Sequence, residues 1–325
     1  MLKFLLRRIL QASIVMIIIS LIAFAIQGNL GDPTRELVSI NVTLEERDAL
    51  RTELGLNDPF FIQYWRFITG ALQGDFGTSY FFKRPAIDII LEKVPATLEL
   101  VFASTLIISI LSVPLGIYSA LNPKSILTKI IMSVSMIGLS IPVFLTAIML
   151  IYIFSVTLGW LPSFGRGDIV HIFGSWYTNF LTVDGWAHIL MPAISLSSIT
   201  LPLFIRLIRA EMLEVLSSEY VRFATAKGLN KKTVHYKHAL KNTMLPVVTV
   251  GGLQIGTMVA YTILTETVFQ WPGMGYMFLE AVKRSDIPLI TTYLIVVGFI
   301  FVVTNTLVDL IYGWINPTVK LTGDK

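Results

Sequence analysis

Six stretches of about 20 mainly apolar residues, each long enough to cross a hydrocarbon core about 30 Å thick, constrain this chain more than any motif does. They begin near Ile9, Thr97, Ile130, Ala187, Val247 and Leu289 and end near Ile26, Ala120, Thr157, Leu207, Val268 and Gly313. The expected fold is therefore all-α and polytopic. Composition agrees: 54% of the 325 residues are hydrophobic, 14% are charged and the mean hydropathy is +0.72. Soluble domains carry about 25% charge, so the missing surface charge points to lipid as the solvent. The net charge of +4 is spread along the chain, which argues against a nucleic-acid partner. With no cysteine there is no disulfide framework, thiolate metal site or cysteine nucleophile.

Fifteen of the 25 Lys and Arg residues fall on one set of alternating segments. These are the N-terminus (Lys3, Arg7, Arg8), the Pro123 hairpin (Lys124, Lys129), the segment from Arg206 to Lys241, and the tail (Lys320, Lys325). Cytoplasmic loops are enriched in basic residues, so both termini are expected in the cytoplasm. The first stretch has a rival reading as a cleaved signal peptide, because Ala23-Phe24-Ala25 resembles a cleavage site; its length favours a span. The chain then divides into a first helix at 1–26, an external region at 27–96 and a core at 97–325. Within the external region, Leu44 to Leu54 reads as a short charged helix and Pro59 to Leu72 as an amphipathic aromatic one. Gly159 to Gly185, with Trp160, Trp176 and Trp186, belongs at the outer interface.

Ionisable groups at a bilayer centre usually mark ion pathways, and none sits there. Glu99, Glu266 and Asp309 lie near helix ends, which weakens any proton- or sodium-coupled mechanism. Deeper positions hold small or neutral polar groups, including Ser140, Gln254, Thr257, Thr262 and Asn305. Such residues serve helix packing or line an aqueous path. Pro114, Pro142 and Pro202 are candidate helix breaks. There is no H-E-x-x-H, G-x-S-x-G or G-x-x-x-x-G-K-[ST], hence no anchor for a zinc protease, serine hydrolase or ATP-binding P-loop. His235 and His238 share a helical face, but lysines surround them and no metal site is expected.

The inside segment from 211 to 246 is too long for a mere connection. Leu213, Leu216, Tyr220 and Phe223 give an apolar stripe, Gly228 can end a helix and Asn230 can cap the next. Two short helices with a sharp bend are expected, either as a knob for a cytoplasmic partner or as a basic helix on anionic lipid.

At Ala224, Gly228 and Pro246 the segment resembles the coupling (EAA) loop of permease subunits in binding-protein-dependent ABC importers. Arg222-Phe223 replaces the general Glu-Ala, a departure that is similar to the dipeptide and oligopeptide branch. Gly31-Asp32-Pro33, Gly74-Asp75-Phe76-Gly77, Ala96-Thr97-Leu98-Glu99-Leu100, Ser140-Ile141-Pro142, Gly159-Trp160-Leu161-Pro162, Thr265-Glu266, Trp271-Pro272-Gly273-Met274-Gly275 and Asn316-Pro317 extend the likeness in the same order. The resemblance implies a type I importer fold in a bacterial inner membrane. It also implies a second permease subunit, two ATP-binding subunits that hold ATP and magnesium, and an external solute-binding protein. No cofactor is expected on this chain itself. Implied cargo is a di- or oligopeptide, with glutathione, nickel or a metal chelate as alternatives; an ATP-independent transporter or channel is the reading from another class. The implied docking residues are Tyr220, Arg222, Phe223, Ala224, Lys227 and Gly228. The implied path runs along the third, fifth and sixth spans through Met136, Ser140, Phe144, Gln254, Thr257, Thr262, Glu266 and Asn305.

Overall fold

The computed structural model describes residues 2–27, 43–53 and 55–315. Gly31-Asp32-Pro33, Leu54, Asn316-Pro317 and the basic tail at Lys320 and Lys325 lie outside the described residues.

Helix α1 (Leu2–Gln27) is followed by α2 (Leu44–Glu53) and α3 (Phe60–Leu72). A reciprocal cap starts α2: Thr43 Oγ1 accepts from the Glu46 N–H at 3.3 Å, and Glu46 Oε2 accepts from the Thr43 N–H at 3.1 Å. The aromatic face of α3 closes on α1, where Phe24 packs against Phe60, Tyr64 and Phe67 at centroid distances of 5.6–5.7 Å.

The long helix α4 (Ala86–Leu121, 36 residues) rises about 1.5 Å per residue, so it outruns the hydrocarbon and projects from the membrane. Its main partner is α7 (Val183–Ser217), followed in the bundle by α10 (Leu240–Val268) and α12 (Ile287–Ile315); α1 lies along α12. Small residues such as Ala103, Ser104, Ser112, Ala120, Ala193, Ser195 and Ser197 occupy the buried faces of α4 and α7. In lipid they permit the close backbone approach that replaces hydrophobic collapse as the source of packing. Among the described residues, four helices are long and apolar enough to cross a membrane, Ala86–Leu121, Val183–Ser217, Lys231–Val268 and Ile287–Val308, or five if the bent pair below is one span; Leu10–Ala25 is a shorter apolar helix.

The break expected at Pro142 is present, and two other expectations are corrected. The third apolar stretch is divided into α5 (Ile126–Ser140) and α6 (Val143–Leu150, continuing as a π-helix over Ile151–Thr157), bent by 108°. Pro142 forces the residue before it out of the helical region, and Ile141 is extended at φ −88, ψ 124. Pro114 and Pro202 stay inside continuous helices. The fold is also mostly rather than wholly helical, because β1 (Val170–Phe173) and β2 (Trp176–Thr178) form an antiparallel hairpin across Gly174-Ser175. β-branched and aromatic residues flanking a Gly-Ser pair carry that signal in the sequence.

Candidate functional site

The inside segment starts where α7 ends. Ser218 is extended at φ −71, ψ 153, and α8 (Glu219–Ala226) follows. Leu213 and Leu216 therefore belong to α7, not to one stripe with Tyr220 and Phe223. On α8 the inward face is Val221 and Ala224, with exposures of 4% and 8%, while Tyr220 and Phe223 point outward at 41% and 62%. Lys227 extends its ammonium over the Phe223 ring, 4.6 Å from the centroid, and Arg222 pairs with Glu219 at 3.1 Å on the surface.

Gly228 ends α8 with φ +78. The Leu229 N–H donates to the Ala224 carbonyl at 3.4 Å and the Gly228 N–H to the Thr225 carbonyl at 3.0 Å, the paired pattern of a Schellman cap. A side chain at Gly228 would meet no atom within 4 Å, so dihedral strain, not space, selects glycine there. Asn230 Oδ1 then accepts from the Lys232 N–H at 3.0 Å and starts α9 (Lys231–Thr233). A π-helical turn (Val234–Ala239) leads into α10, with Val234 and Ala239 buried. The elbow is thus held from within by Val221, Ala224, Val234 and Ala239 and presents Tyr220, Arg222, Phe223, Lys227, Leu229 and Tyr236 outward.

At the other end of α10 the connection to α11 (Met274–Lys283) is locked. Glu266 is fully buried; its Oε1 accepts from the Thr97 hydroxyl at 2.7 Å and its Oε2 from the Tyr276 N–H at 2.9 Å. Thr97 Oγ1 accepts in turn from the Met274 N–H at 2.8 Å, and Trp271 Nε1 donates to the Ala96 carbonyl at 2.9 Å. A Cβ at Gly273 would collide with the Glu266 carboxylate. Beside this lock, Arg166 Nη2 lies 2.5 Å from Glu99 Oε2 and donates to the Tyr177 carbonyl at 2.6 Å, which ties the hairpin loop to α4. Asp286 fastens the segment before α4: its carboxylate accepts from Ser79 Oγ at 2.5 Å and from the Tyr80 and Phe81 N–H groups at 3.2 Å.

The expected path residues separate into two sets. Met136, Ser140 and Phe144 flank the 108° bend and are exposed, while Gln254, Thr257 and Asn305 are half-buried. Thr262 and Glu266 are wholly enclosed within the chain, so no solute reaches them in this arrangement. Reasoning from the sequence missed Arg166, Thr97 and Asp286 as the groups that fix the outer loops.

Residues 112–321 match the family described as binding-protein-dependent transport system inner membrane component, and residues 1–101 match its N-terminal companion. The dipeptide transport system permease protein DppB of Escherichia coli is 37% identical over 336 residues, covering 98% of this chain and 99% of that protein. DppB of Alkalihalophilus pseudofirmus is 36% identical over 332 residues, covering 98% and 100%. The glutathione transport system permease protein GsiC of Escherichia coli is 33% identical over 321 residues, covering 98% and 99%. Among solved structures, the inward-facing MetNI methionine ABC transporter gives a TM-score of 0.54 at 17% identity, covering 71% of this chain and 97% of that chain, a likeness of fold. This chain belongs to the family of inner membrane components of bacterial binding-protein-dependent transport systems, and is the permease of an ABC importer rather than its ATPase.

Proposed function

We propose that this chain spans the membrane six times with both termini in the cytoplasm and forms, with a second permease subunit, the path for di- or oligopeptides. Two ATP-binding subunits, which carry the ATP and magnesium, dock on the elbow at Tyr220, Arg222, Phe223, Lys227 and Gly228, which Ala224 holds from within, and an external solute-binding protein delivers cargo. The observation that carries the docking assignment is the elbow itself. Its inner face is buried against the bundle while two aromatic side chains and two cations stand outward, the form of a rigid lever seated in a partner's groove. Met136, Ser140 and Phe144 at the bend, with Gln254, Thr257 and Asn305, supply the path wall; Thr262 and Glu266 brace it from behind.

The peptide cargo is supported by the full-length likeness to two dipeptide permeases; GsiC keeps glutathione as the second reading, with nickel or a metal chelate behind it. The test is to purify the complex from its native membrane, identify the co-purifying subunits by mass spectrometry, and reconstitute it with its binding protein. ATP-dependent uptake of labelled dipeptide, competed by other dipeptides and not by glutathione or nickel, is the expected result. Flux through the chain alone without ATP overturns it.

A further inference from the structure

Between α5 and α7 lies a cavity of about 570 Å³ lined by Met132, Leu139, Leu203, Arg206, Leu207, Arg209, Ala210 and Leu213. Two features make it unlike an ordinary lipid-facing groove. First, it holds two guanidinium groups, and neither has a carboxylate within ion-pair distance among the described residues, although Glu211 and Glu214 follow on the same helix. Arg209 is half-buried; its Nη1 has only the weak acceptor Met132 Sδ at 3.3 Å, and its buried Nε has no hydrogen-bond partner. A guanidinium withdrawn from water without a counter-charge leaves a strong, directional demand for an oxyanion. Second, the arginines stand beside a deeper apolar stretch. α5 and α7 are antiparallel neighbours in this region: Met132 meets Arg209, and Gly138 lies against Pro202. With the orientation proposed above, Arg206 and Arg209 stand at the inner headgroup level, Leu139 and Leu203 lie deeper, Leu213 lies one turn to the cytoplasmic side, and Lys129 is exposed nearby on the chain at the start of α5.

A cationic mouth above an apolar trough fits an amphiphile whose head is an anion and whose body is hydrocarbon. We propose that this cavity binds an anionic phospholipid of the inner leaflet, its phosphate held by Arg206 and Arg209 and an acyl chain lying over Leu203, Leu207 and Leu139. A carboxylate of the second permease would satisfy the arginines but leave the trough to be filled separately, and a free phosphate would leave it empty. The lipid answers both demands at once. Because Leu139 of α5 lies on one wall, the bound lipid sits about one turn from the break at Pro142, on its cytoplasmic side.

The test uses the intact complex extracted in mild detergent. Native mass spectrometry is expected to show retained phosphatidylglycerol or cardiolipin, falling about fivefold for each of Arg206→Gln and Arg209→Gln and recovering in Arg209→Lys. Thermal stability in phosphatidylglycerol bilayers is expected to exceed that in phosphatidylcholine, with the difference lost in Arg206→Gln, an exposed position whose replacement leaves the fold intact. Stabilisation by inorganic phosphate in phosphatidylcholine would overturn the lipid in favour of a soluble anion. The chain lacks cysteine, so Leu213→Cys reports its neighbour cleanly; efficient cross-linking to the second permease would overturn the proposal in favour of a subunit contact. Neither readout involves transport, so a wrong cargo leaves the result standing. The orientation is read separately, from labelling of Lys124→Cys by an impermeant maleimide in vesicles of either sidedness.

Discussion

The Glu266 carboxylate and the Thr97 hydroxyl, 169 residues apart in sequence, meet in a 2.7 Å hydrogen bond inside the membrane domain. Because Thr97 also accepts from the Met274 N–H and Glu266 from the Tyr276 N–H, this one contact fixes α4, α10 and the start of α11 to each other. Thr97→Val keeps the shape but removes one hydrogen bond from the buried carboxylate and leaves the Met274 N–H without its acceptor, at a cost of about 1–3 kcal/mol. The expected outcome is a lower melting temperature of the detergent-solubilised complex. Thr97→Ser restores the hydroxyl and is expected to recover most of it; equal loss in both variants would mean that packing, not hydrogen bonding, holds the seam.

Arg166 and Glu99 form a second enclosed pair, with side-chain exposures of 8% and 3%. Removing one partner strands the other charge, which typically costs about 3–5 kcal/mol, whereas replacing both by apolar groups costs much less. Glu99→Leu and Arg166→Met are therefore each expected to abolish stable insertion or lower the melting temperature sharply, and the double variant to regain much of the difference. A double variant as damaged as the sum of the singles would show that the two side chains act independently.

These contacts also mark the limit of what the sequence discloses. Gly228 and Asn230 were legible because a left-handed helix stop and a side-chain cap are decided within five residues. Four of the six expected spans were legible as single long helices because apolar length suffices. Which face of a span turns inward was not. On α10 the enclosed groups mix Thr243, Thr262, Thr265 and Glu266 with Val247, Met258 and Val259, while Leu253, Tyr261 and Leu264 are exposed, so hydrophobicity alone does not mark the inward face. Glu266 sits near the C-terminal end of α10, as its position in the stretch implies, yet points into the bundle. Three prolines looked equivalent in sequence; only Pro142 breaks its helix, while Pro114 and Pro202 lie in α4 and α7, which pack closely enough to hold a continuous helix around them. The pairing of Arg166 with Glu99 crosses 67 residues and leaves no local pattern.

Tyr80, beside Asp286 in the segment before α4, gives a pH-dependent prediction. Burial, with a smaller contribution from the Asp286 charge, pushes its phenol up to about 12 from 10.0. The folded state thus holds the proton that the unfolded chain has released between pH 10 and 12, so stability is fully present below pH 10 and falls as pH rises through that window. The full loss is on the order of 3 kcal/mol. Tyr80→Phe is expected to match the parent near neutral pH and to lose less stability above pH 10. Parallel curves for the two proteins, read by thermal melts across the alkaline range, would remove Tyr80 from the account.

Gly228 separates dihedral strain from steric exclusion, since its φ of +78 disfavours L residues while the space around it is open within this chain. Asparagine tolerates the left-handed region better than alanine, and a β-branched residue tolerates it least. If only the internal geometry of the elbow matters, uptake by the assembled importer should decline in the order Gly228→Asn, Gly228→Ala, Gly228→Val, with the first step small and alanine costing about 1–2 kcal/mol of local stability. Membrane insertion should be unchanged throughout, because Gly228 touches nothing in the bundle. If the ATP-binding subunit closes over this backbone, asparagine and alanine will both uncouple ATP hydrolysis from uptake in proportion to side-chain size rather than to dihedral preference. Measuring ATPase activity and uptake on the same proteoliposomes distinguishes the two orders, and normal coupled uptake in Gly228→Trp would remove the elbow from the docking surface altogether.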